Sequence, residues 1–213
     1  MTSTLSAMSR DLDATVRRVV LLPGAAGVAS FWEPIIERLP ASWDVQAIDL
    51  PGLGFVPASP EVRSYDDLVD HVARAIADPT AVVAQSMGAY VALQLALRYP
   101  QLVTHLVLVA ATGGIDVGVH GARDWRQEYA RAFPHAPDWV RAPVPDLSDR
   151  LSDITIPVLL IWPTHDTLSP LPVAQALASK IPFASLVTFP SNDHWVVRRF
   201  SDESASAIRA FVL

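Results

Sequence analysis

Cysteine is absent from this 213-residue chain, which excludes disulfides, thiolate metal sites and a cysteine nucleophile and makes a cytoplasmic setting the expectation. Lysine is nearly absent: of 16 basic residues only Lys180 is a lysine, a bias to which no function is attached. Positive charge is in deficit, with 22 acidic residues and a formal net charge of −6. Such a surface does not collect phosphate backbones or anionic lipid, so neither nucleic acid nor membrane is an expected partner. No apolar run is long enough to span a bilayer, and residues 1–16 lack the apolar core of a secretion signal and read as a frayed tail. Apolar side chains are what the chain has in quantity, 51% of its residues against 18% charged, enough to build a sizeable core in one domain over 17–213.

Short β-branched runs recur at Arg17–Leu22, Asp44–Asp49, Thr80–Gln85, His105–Ala110, Ile156–Trp162 and Ser185–Phe189, as strands buried on both faces do. Between them lie amphipathic stretches at Phe31–Leu39, Ser64–Asp78, Met87–Tyr99, Pro170–Ile181 and Ser201–Val212. Ser64 followed by Asp67 has the form of a helix N-cap. This alternation predicts an α/β fold with a mostly parallel, about six-stranded sheet and helices on both faces. Ligands then bind where loops leave the carboxyl ends of the strands. The connection from Ala111 to Thr155 is much longer than a crossover needs, and its aromatics Trp125, Tyr129, Phe133 and Trp139 suggest a small helical lid at about 113–154.

The strongest local signal is Thr80-Ala-Val-Val-Ala-Gln-Ser86-Met-Gly88, a buried strand entering a sharp turn and then a helix. This has the form of a nucleophile elbow, G-x-S-x-G, with Ala84 at the first glycine. The turn aims the Met87 N–H, at a helix start, toward the place where an oxyanion would form. The plainer alternative is a serine in an ordinary βα turn. A serine nucleophile needs a base and a group to hold that base. Asp166 follows the fifth strand run and His194 follows the sixth, giving the chain order Ser86, Asp166, His194. Asp116, beyond the fourth run, is the alternative acid. The pairs His165–Asp166 and Asp193–His194 also admit a metal cluster, but their separation argues against one, and neither metal nor cofactor is expected.

Together with the glycine-rich Val19-Val-Leu-Leu-Pro-Gly24-Ala25-Ala-Gly27 and Asp49-Leu-Pro-Gly52-Leu-Gly54, these motifs resemble the α/β-hydrolase superfamily from about residue 17 onward. The resemblance implies a member trimmed at its N-terminus. It also implies an oxyanion hole made by the Ala25 and Met87 N–H groups, and acyl transfer through a Ser86–His194–Asp166 triad. The expected substrate is a small ester with an apolar acyl or aromatic part. Phe31, Trp125, Tyr129, Phe133, Trp139 and Trp195 are the candidate pocket residues. Two alternatives remain open: carbon–carbon bond hydrolysis or lyase-like chemistry by the same triad, and a non-catalytic binding protein on the same scaffold.

Overall fold

The structure, a computed structural model, describes residues 17–213; the N-terminal stretch read as a frayed tail lies outside the described residues. Six strands, β1 (Arg18–Leu22), β2 (Asp44–Ala47), β3 (Thr80–Gln85), β4 (Val103–Val109), β5 (Val158–Pro163) and β6 (Ala184–Phe189), form one sheet in the order β2-β1-β3-β4-β5-β6. Every pairing is parallel. The fifth strand starts later than expected. Pro157 precedes it, has no N–H for the ladder, and contributes only its carbonyl, to the Leu106 amide.

Alternation along the strands divides the core in two. Val20, Leu22, Val82, Ala84, Leu106, Leu108, Val158 and Leu160 face one side, while Val19, Leu21, Ala81, Val83, Val107, Val109, Leu159 and Ile161 face the other. On the first side pack α2 (Tyr65–Ala75), α3 (Met87–Arg98) and α5 (Leu171–Lys180). On the second pack α1 (Glu33–Ile36), α6 (Val196–Arg199) and α7 (Ser201–Val212). Apolar residues on both faces make β3 and β5 fully buried along their length, as a doubly covered parallel sheet demands.

The helices start and stop for local reasons. Ser64 accepts the Asp67 N–H at 3.1 Å and caps α2, while Asp67 accepts the Arg63 N–H at 2.9 Å. Leu68, Val69 and Val72 are completely buried on the inner stripe of α2, each worth about 1.5–3 kcal/mol of transfer free energy. The helix ends at Ile76, whose backbone is extended. α6, absent from the sequence-based expectation, is a single turn between the last loop and α7.

The β4–β5 connection holds one α-helix, α4 (Arg126–Ala132), and three 3₁₀ turns at Gly118–His120, Asp138–Arg141 and Leu151–Asp153. Pro134, Pro137, Pro143 and Pro145 remove donors over much of its second half, which keeps it from becoming a helical bundle. Among the described residues no helix is long and apolar enough to cross a membrane.

Candidate active site

Ser86 follows β3 directly and opens α3 with φ 53° and ψ −115°, a region that side chains with a Cβ rarely occupy. Its surroundings leave little choice of neighbour. A Cβ on Gly88 would lie 2.2 Å from the Pro23 carbonyl oxygen, and one on Gly24 would lie 3.1 Å from the Ser86 Cβ. Ala84 differs, because it is still within β3, opposite Leu22 and Leu108, with its methyl in the core. The motif therefore tolerates alanine at its first small position but not at its second. The Ser86 N–H donates to the Val109 carbonyl at 2.9 Å, which ties the elbow to the end of β4.

The acid and the imidazole come from adjoining loops. Past the ends of β5 and β6, the Thr164 N–H donates to the Phe189 carbonyl and the His165 N–H to the Ser191 carbonyl, both at 2.9 Å. These bonds carry the ladder outward and set Asp166 beside His194. Asp166 is buried, at 4% exposure; one oxygen accepts the Leu168 N–H at 2.8 Å and the other lies 2.6 Å from His194 Nδ1. His194 Nε2 lies 2.8 Å from Ser86 Oγ. The arrangement fits a Ser–His–Asp triad.

Asp116, the alternative acid, instead accepts the Gly118 N–H at 3.0 Å from an exposed position. Asp193 accepts the Trp195 N–H at 2.8 Å and so shapes the histidine loop. Among the described residues, no group of three or more His, Asp or Glu side chains is placed to hold a metal ion.

Two amides face an unfilled role. The Gly24–Gly27 turn is closed by a 2.9 Å bond from the Gly27 N–H to the Gly24 carbonyl. Within it the Ala25 N–H has no hydrogen-bond partner among the described residues, and neither does the Met87 N–H at the first turn of α3.

The six aromatics proposed for the pocket occupy three places. Trp125, Tyr129, Phe133 and Trp139 pack on the α2/α3 side of the sheet: Tyr129 meets Trp125 and Phe133, with ring centroids 5.2 and 4.8 Å away, and Trp139 meets Tyr65 at 5.1 Å. Phe31 lies in the opposite core, edge-on to Trp32 and beneath the Arg198 guanidinium. Trp195 is 59% exposed, beside His194 in sequence and on the surface.

Two residues outside the expected set touch the triad, and a third packs on the aromatics of the β4–β5 connection. Gln85, buried, donates to the His194 carbonyl at 3.3 Å. The Thr112 hydroxyl stands 3.4 Å from Ser86 Oγ. Phe55, from the loop after β2, sets its ring edge-on against Phe133 at 4.9 Å. Only Gln85 carried a signal, as a buried amide next to the serine. Burial raises the pKa of the Tyr65 and Tyr129 phenols, so both remain protonated donors at neutral pH. The Tyr65 hydroxyl donates a hydrogen bond to the Val140 carbonyl at 2.8 Å, pinning the connection to α2.

Residues 17–148 match the family described as the alpha/beta hydrolase fold. The chain belongs to this family. A pimeloyl-(acyl-carrier protein) methyl ester esterase of Neisseria meningitidis is 26% identical to this α/β-hydrolase, with 95% of each chain covered. A 2-hydroxy-6-oxononadienedioate/2-hydroxy-6-oxononatrienedioate hydrolase of Paraburkholderia phymatum is also 26% identical, with 87% of this chain and 83% of that one covered. Among solved structures, a thermophilic esterase from Thermogutta terrifontis shares the fold with a TM-score of 0.75 at 21% identity, covering 92% of this chain and 89% of that one. A meta-cleavage product hydrolase from Pseudomonas fluorescens does so with a TM-score of 0.73 at 22% identity, covering 92% and 90%.

Proposed function

We propose that this α/β-hydrolase is a serine esterase acting on a small-molecule carboxylic ester, with Ser86 as nucleophile, His194 as general base and acid, and Asp166 as the carboxylate that orients the imidazole. The observation that carries the reading is the unbroken hydrogen-bond chain from Ser86 Oγ through both ring nitrogens of His194 to Asp166, at 2.8 and 2.6 Å. It starts on a serine held at positive φ.

In the reaction, Ser86 Oγ attacks the ester carbonyl carbon while His194 Nε2 takes its proton. Asp166 stabilises the imidazolium that results. The Ala25 and Met87 N–H groups bind the oxyanion, and fixed donors of this kind need no reorganisation as charge develops. Collapse of the tetrahedral intermediate returns the proton from His194 to the departing alkoxide and leaves an acyl-serine. Water, deprotonated by His194, then releases the acid and restores Ser86.

The connection between β4 and β5 serves as the lid, and its aromatics with Phe55 suit an apolar acyl or aromatic group. The relative named as a methyl ester esterase supports an ester substrate. A cytoplasmic location belongs to the same reading, since a chain free of cysteine needs no oxidising compartment. Replacing Ser86 with Ala is expected to lower turnover of p-nitrophenyl acetate on the order of 10⁴-fold or more while the protein stays folded. Retained turnover would contradict the assignment.

A second reading, carbon–carbon bond hydrolysis by the same triad, is favoured by the relative named as a hydrolase of a 2-hydroxy-6-oxo dienedioate. Parallel assays with p-nitrophenyl esters and a vinylogous diketone separate the two: kcat/KM higher by an order of magnitude or more on the diketone would select the second.

A further inference from the structure

Tyr129 belongs to α4, yet its hydroxyl is bonded to the loops after β1 and β2. It donates to the Ala25 carbonyl at 3.0 Å and accepts the Gly54 N–H at 2.6 Å. The residue is only 6% exposed, and Trp125 and Phe133 hold its ring. The Ala25 turn that it grips is clamped elsewhere by the loop after β2. The Phe55 N–H donates to the Ala26 carbonyl at 3.0 Å, and a Cβ on Gly54 would lie 2.4 Å from that same oxygen. The Ala25 carbonyl, in contrast, has the Tyr129 hydroxyl as its one hydrogen-bond donor among the described residues.

A turn peptide with neither its C=O nor its N–H bonded can pivot about the flanking dihedrals. Here the N–H of Ala26 is unpaired among the described residues, so the Tyr129 contact is what holds the Ala25–Ala26 plane. The preceding peptide, Gly24–Ala25, lies against the nucleophile, since a Cβ on Gly24 would be 3.1 Å from the Ser86 Cβ. That preceding peptide carries the Ala25 N–H, and its own carbonyl accepts the Gly27 N–H at 2.9 Å; the Tyr129 contact adds a second hold on the other side of the Ala25 Cα, so that the residue is fixed from both sides.

We propose that Tyr129 is a positioning residue of the oxyanion hole: its hydroxyl completes the hold on the Ala25 turn that the bond from the Gly27 N–H to the Gly24 carbonyl begins, so the hole is fully ordered when α4 is seated on the loops after β1 and β2. The inference rests on the esterase reading above. A donor that must be ordered during the reaction stabilises the transition state less than one already in place. The loss falls on kcat, because the oxyanion exists only after attack.

The test is Tyr129→Phe, which keeps the ring and removes the hydroxyl. Deleting an oxyanion donor outright lowers kcat about 10²–10³-fold, so loosening one is expected to lower it about 10-fold on a p-nitrophenyl ester. KM should stay within about twofold, and the affinity of a trifluoromethyl ketone, which forms a tetrahedral adduct on the serine, should fall by about the same factor as kcat/KM. Binding of the carboxylic acid product should not change. A kcat within about twofold of the parent enzyme, or a loss carried by KM alone, overturns the proposal. Far-UV circular dichroism and the melting temperature verify that the variant is folded. Ser86→Ala in the same assay separates the two levels. If it retains turnover, the esterase reading falls; if it is inert while Tyr129→Phe matches the parent enzyme, only the role of Tyr129 falls.

Discussion

Ser86 is held at φ 53° by its neighbours rather than by its own preference. The cost of such a backbone, about 1–3 kcal/mol, persists only where the surroundings over-determine it. Gly88 is one such determinant: its hydrogen faces the Pro23 and Leu22 carbonyl oxygens, 2.2 and 2.9 Å from where a Cβ would stand. Gly88→Ala should destabilise the protein by about 1–3 kcal/mol through overpacking, a fall of roughly 2–4 °C in melting temperature for each kcal/mol. Calorimetry checks this; an unchanged melting temperature would mean that the elbow yields easily.

Asp166→Asn tests a different link. The amide still fills the buried space but cannot stabilise the imidazolium, so kcat should fall on the order of 10⁴-fold with little change in KM. Steady-state kinetics decide it, and a loss under tenfold would point away from Asp166.

At this scale much was legible, because the elbow is local: a buried strand, a serine and small residues within a few positions. Asp166 and His194 could be placed because each follows a strand run. Tyr129 could be named as an aromatic of the connection, but its bond to Ala25 spans 104 positions. No local pattern encodes that pairing.

Among the elements, α2 shows the closest agreement between sequence and structure. Ser64 was readable as a cap and does cap, with its hydroxyl on the Asp67 N–H. Ser64→Ala should therefore cost about 1 kcal/mol in urea-induced unfolding while leaving ester turnover intact. A loss of activity at unchanged stability would contradict a purely structural cap.

The connection between β4 and β5 was readable as an insertion and not as a shape. Its prolines mark where regular helix fails, but its seating comes from distant partners: the Tyr65 hydroxyl on the Val140 carbonyl, the Arg123 N–H on the Thr167 carbonyl, the Leu147 N–H on the Gly114 carbonyl. The aromatics were readable as apolar, but not by side. Phe31 went to the opposite core because the alternation of β1 and β3 sorts what packs against each face, and α1 lies on the second one.

For the molecule as a whole, the parallel sheet brings the loops after β3, β5 and β6 to the carboxyl ends of their strands, so that residues far apart in sequence form one hydrogen-bond chain. Stability against pH has a separate source. His105, part-buried on β4 with its ring edge against Phe211, has its pKa lowered from 6.5, chiefly by burial and then by Arg17. The folded state thus binds a proton less readily than the unfolded chain. Its contribution is present above pH 6.5 and is lost as pH falls through that value toward the depressed folded pKa. His105→Gln should flatten the fall in melting temperature between about pH 7 and 5. Parallel curves for the variant and the parent enzyme would contradict this.

If Ser86 is a nucleophile activated by His194, a fluorophosphonate will trap it, and intact-mass spectrometry after incubation reads the adduct. One adduct per chain is expected, mapped to Ser86, absent from Ser86→Ala and formed far more slowly by His194→Ala. A chain that stays unlabelled, or that is labelled equally well without Ser86, would contradict it.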